Sequence, residues 1–173
     1  HHAKRITGGR EEPAETLSGA DMSNILTAYD NLAKVTVTTT SGKTPKVYNL
    51  TSLPESLTTA HLPCRLLLPL GGMPGEGRDG QFLGIGASAT MQWQVNDLMF
   101  WQASEQGVGV REFAGELVDY CGKYAEAMKG YKCPATDMVL DGWSVTPGEF
   151  EYPLGSGRYY AAVRCQLMIT EAI

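Results

Sequence analysis

The chain has 173 residues, 43% of them hydrophobic, and a formal net charge of −5, which gives room for one domain with a real core and hardly for two. The charge is mild and interspersed with no basic stripe, which speaks against nucleic acid or an anionic membrane as the main partner. No run of eighteen apolar residues and no charged-then-apolar leader is present, so the chain reads as soluble and intracellular.

In chain order, residues 1–21 open with His-His, are rich in Gly, Glu and Thr, and show no apolar period. They read as an expression tag and linker with Met22 as the native start; the rival reading is a native arm that orders on a partner. From Ser23 the residues Ile25, Leu26, Tyr29, Leu32 and Ala33 recur at helical spacing behind a serine cap, predicting a helix from Ser23 to Lys34. The period then drops to two in Val35-Thr36-Val37-Thr38, Ser41 to Thr44 supplies a turn, and Val47 to Leu50 reads as the returning strand of a hairpin.

Two prolines bracket a Thr-rich segment from Leu53 to Pro63, expected as a surface loop. It leads into Cys64-Arg65-Leu66-Leu67-Leu68, a short apolar run closed by Pro69 and most simply a buried central strand. Gly71 to Gly80 has five glycines in ten residues, and a long glycine-rich loop in a compact domain commonly serves binding. Met73, Glu76, Arg78 and Asp79 are its groups able to make specific contacts. They form the candidate partner-contact loop.

From Met91 to Trp101 a long period-two pattern becomes apolar on both faces near its end, predicting a strand with a wet half and a buried half. Val110, Phe113, Ala114, Leu117, Val118, Cys121, Tyr124, Ala125 and Met128 form one stripe of a second helix that should end by Gly130, with Pro134 just past the stop. Strands follow at Val139 to Val145 and Glu149 to Tyr152. A turn at 153–157 and a last strand from Arg158 to Thr170 complete a hairpin. The expected fold is α+β, a mixed, mostly antiparallel sheet packed by two amphipathic helices in one domain spanning 22–173.

Candidate chemistry is thin. His61 lies between Leu62-Pro63 and a Thr-rich loop, with nothing to make a Ser-His-Asp or Cys-His arrangement. Gly42-Lys43-Thr44 imitates the end of a phosphate loop, but Val37 stands where the leading glycine belongs and a strand-like segment follows where a helix is needed. Gly84-Ile85-Gly86 lacks the third glycine of a dinucleotide fingerprint. The acidic pairs Asp137/Asp141 and Glu149/Glu151 read as solvated faces. Trp93, Trp101 and Trp143 read as core or subunit-interface aromatics, since no basic groove accompanies them. Cys64, Cys121, Cys133 and Cys165 lie far apart without a Cys-x-x-Cys pair, and Cys121 and Cys165 fall on apolar faces as small core residues. No catalytic residue, metal site or cofactor is expected.

Met22 to Leu26, Leu62-Pro63-Cys64-Arg65-Leu66-Leu67-Leu68-Pro69, Met91-Gln92-Trp93-Gln94-Val95 and Tyr159 to Cys165, taken with the order of elements, resemble the lambda-type tail-terminator proteins of long-tailed bacteriophages. The resemblance is one of element order over nearly all of Met22 to Ile173, without a diagnostic motif. It implies a virion structural protein. Its copies would form a homo-oligomeric ring, usually of six subunits, that caps the tail tube, stops its polymerisation and offers a face to the head connector protein. DNA would only pass through the lumen, and no membrane, cofactor or catalytic residue is implied. The chain departs from the family in its longer Gly71 to Gly80 loop, which leaves a related neck or tail-completion protein as the neighbouring reading. A small-ligand binding module using the Trp-rich sheet and an enzyme assembled from surface carboxylates are the alternatives from another class.

Overall fold

The structure, a computed structural model, describes residues 24–68, 81–82, 90–135 and 137–172. Eight elements follow in order: α1 (Asn24–Ala33), β1 (Lys46–Tyr48), β2 (Cys64–Leu68), β3 (Gln81–Phe82), β4 (Thr90–Ser104), α2 (Gly109–Lys129), β5 (Met138–Glu151) and β6 (Tyr159–Ala172). The strands make one sheet in the order β1-β2-β4-β6-β5, with β3 added to β4. Among the described residues only β1 and β2 run parallel; the other pairs are antiparallel. The α+β class, with its mostly antiparallel sheet and two helices, is therefore as expected.

Three strands dominate. β4 has 15 residues and β5 and β6 have 14 each, so the long strands reach about 50 Å at ~3.4 Å per residue. The 21-residue α2 spans only about 30 Å at 1.5 Å per residue. Both helices feed one apolar cluster. Ile25, Ala28, Tyr29 and Leu32 of α1 and Leu117, Tyr120, Tyr124 and Met128 of α2 join Leu67, Val95, Met99, Val163, Cys165, Leu167 and Ile169 of the sheet. Because side chains alternate along a strand, Cys64, Leu66, Leu68, Leu98, Phe100, Tyr160 and Ala162 point the other way. They form a second cluster with Leu57, and Leu53 and Leu62 of the crossing segment pack against it.

The expected hairpin over 35–50 does not form. Val35, Val37 and Thr39 do turn inward in alternation, and the turn is there, with Thr39 N–H donating to the Lys43 carbonyl at 2.9 Å and Gly42 at φ 83°. Val35 to Thr38, however, pair with no strand. The returning segment instead joins β2 in parallel, Lys46 opposite Cys64, because Val47 gains more by extending a buried central strand than by facing an exposed threonine run. Pro45, which has no N–H to offer a ladder, is buried at the start of that strand.

The stripe expected on α2 also needs correction. Leu117, Tyr124 and Met128 are buried, Phe113 and Cys121 are partly so, but Val110 and Val118 are exposed and Tyr120 is fully buried. Successive residues are about 100° apart around a helix, so the face that holds Leu117 against a sheet turns Val118 outward. The helix is kinked at Phe113 (φ −113°, ψ 18°), which separates the orientation of its first turn from the rest. In the last quarter the two expected strand pieces are a single β5, continuous through Pro147, with a bulge between Leu140 and Gly142.

Candidate functional site

Met73, Glu76, Arg78 and Asp79, the residues expected to contact a partner, lie outside the described residues, as does Gly84-Ile85-Gly86. Among the described residues the polar chemistry concentrates in the interior, at a pair sequence reasoning passed over. Arg65 of β2 and Asp97 of β4 are each 1% exposed and meet in a two-pronged contact, Nη2 to Oδ2 at 2.6 Å and Nε to Oδ1 at 3.2 Å. The guanidinium also donates to the carbonyls of Val35 and Leu32, and Tyr124 Oη donates to Asp97 Oδ2 at 3.1 Å.

This arrangement satisfies a local need on both helices. The last carbonyls of a helix have no partner within it, and Arg65 supplies donors at the end of α1. Burial by itself pulls the Arg65 pKa down; the charge of Asp97 and its hydrogen bonds outweigh that, and the net shift is upward. Burial, reinforced by the Asp97 charge, pushes the phenols of Tyr120 and Tyr124 well above their usual range. All these groups are closed off from solvent. The pair is thus a buried clamp between β2, β4, α1 and α2.

The remaining candidates resolve into structural contacts. His61 Nδ1 accepts from the Thr58 N–H at 2.9 Å, and its ring stands edge-on to Tyr48 at 5.7 Å. Glu149 accepts from Ser104 Oγ at 3.3 Å and from Gly107 N–H at 2.6 Å, and Glu151 from Gly157 N–H at 2.7 Å. Asp141, the extra residue of the β5 bulge, accepts from the Thr170 hydroxyl. Asp119 receives the Thr40 amide at 2.8 Å and the Thr40 hydroxyl at 2.6 Å, tying the Gly42 turn to α2. Those two bonds hold its carboxyl below the ordinary value. Among the described residues no group of three or more His, Cys, Asp or Glu is placed to hold a metal ion, and no helix is long and apolar enough to cross a membrane.

The tryptophans part company. Trp101 is buried beneath Lys43, whose Nζ lies 5.0 Å from the ring centroid. Trp93 is half-buried and donates Nε1–H to Glu171 at 3.1 Å. Trp143, on the outer strand β5, is 40% exposed. It stands edge-on to Tyr124 with centroids 6.3 Å apart, beside a groove of about 710 Å³ between the end of α2 and β5, lined by Met128, Lys132, Met138, Val139 and Trp143. Val139 is 56% exposed there, and on α2 Val118 is 63% and Val110 41% exposed. Among the described residues the exposed large apolar side chains also include Leu26, Val108 and Leu154. Compared with models of known protein families and with curated proteins, the chain matches none.

Proposed function

We propose that the chain is a virion assembly protein rather than an enzyme: a tail terminator whose copies close into a ring on the tail tube and offer the head connector a docking face. In this reading DNA only passes through the lumen. The observation that carries the reading is the outward apolar surface left over after the core has formed. Val110 and Val118 project from α2 and Val139 and Trp143 from the edge of a sheet with strands of 14 to 15 residues. Exposed apolar side chains at two different places on one chain suit the head-to-tail contact that generates rings.

The experiment is native mass spectrometry and negative-stain imaging of the full chain across a concentration series, with and without tail tube protein, beside complementation of a terminator-deficient phage. Rings, and tails restored to normal length, are expected. Monomers at every concentration with tube protein present would defeat the reading. Rings that join heads without controlling tail length would assign the chain to the neck instead.

A further inference from the structure

No further inference is drawn: the strongest candidate, the groove between the C-terminal end of α2 and β5 lined by Met128, Tyr131, Met138 and Trp143, is a concavity for which nothing in the structure shows what covers it.

Discussion

Breaking the Arg65–Asp97 pair should be the most damaging single polar change in the described part of the protein. Asp97→Asn leaves a guanidinium that is 1% exposed facing a neutral amide, and loss of one partner from a buried pair costs about 3–5 kcal/mol. Set against a total stability of about 5–15 kcal/mol for a domain, that is enough to leave a marginal fold partly unfolded. Arg65→Met is expected to cost a similar amount, because it strands the carboxylate and withdraws the donors from the Val35 and Leu32 carbonyls. The double variant Arg65→Met/Asp97→Asn removes both charges, leaving only unsatisfied neutral groups. It should therefore be more stable than the sum of the single losses implies, by a coupling of roughly 1–3 kcal/mol. Urea unfolding of the four proteins, with m-values compared to verify that the same surface is exposed, measures this directly. Additive losses, or an Asp97→Asn protein as stable as wild type, would refute the reasoning that the pair is a mutually dependent clamp.

Leu117→Ala should cost about 2–5 kcal/mol as a cavity in the core, while Val118→Ala, one residue on but 63% exposed, should stay within about 0.5 kcal/mol; equal melting temperatures for the two would mean that the face of α2 has been misassigned. At the Gly42 turn, the Asp119 carboxyl is held below its ordinary value by the Thr40 bonds, so its tether is intact above that value and is lost as pH falls through the lower, folded one. Hydrogen exchange at the Thr40 amide should rise on acidification beyond its intrinsic pH trend, and in Asp119→Asn that extra rise should vanish. Burial pushes the Cys64 thiol up to about 12 from 9.0; stability is thus retained below pH 9.0 and lost as the pH climbs toward the folded value. At pH 8 an alkylating reagent should reach the half-buried Cys121 and Cys133 in the native protein but Cys64 and Cys165 only after unfolding, and rapid native labelling of Cys64 would contradict its burial.

What could be read in the sequence is what depends on local period. The helical spacing of Ile25, Tyr29 and Leu32, the short, mostly apolar run of β2, the alternation after Met91 and the turn at 153–157 each report a nearby neighbour, and each appears where expected. The hairpin at 35–50 failed because alternation records which side is buried, not which strand is paired: Val35, Val37 and Thr39 do face inward, yet no ladder forms. The parallel partnership of β1 with β2 is decided by the crossing segment between them, which carries no periodic signal. The Arg65–Asp97 pair joins residues 32 apart, beyond any local pattern. A usable clue was nevertheless present, since one cation in a fully apolar strand and one carboxylate in the doubly apolar part of another have few fates other than each other.

That interior pair bears on the outer surfaces as well. Arg65 takes hold of the end of α1 and, through Asp97, of Tyr124 in α2, so the same two side chains set where one helix stops and how the other is rotated about its axis. Rotation is what separates Leu117 in the core from Val118 in solvent, given about 100° between them. It also sets Tyr124 against Trp143 and thereby shapes the side of the groove at β5. A hydrophobic stripe on α2 would tolerate small turns of the helix, since one apolar contact replaces another at little cost. The hydrogen bond from Tyr124 to a charged, buried acceptor does not. The sheet thus dictates, from a polar site inside the core, which residues of α2 are left in solvent.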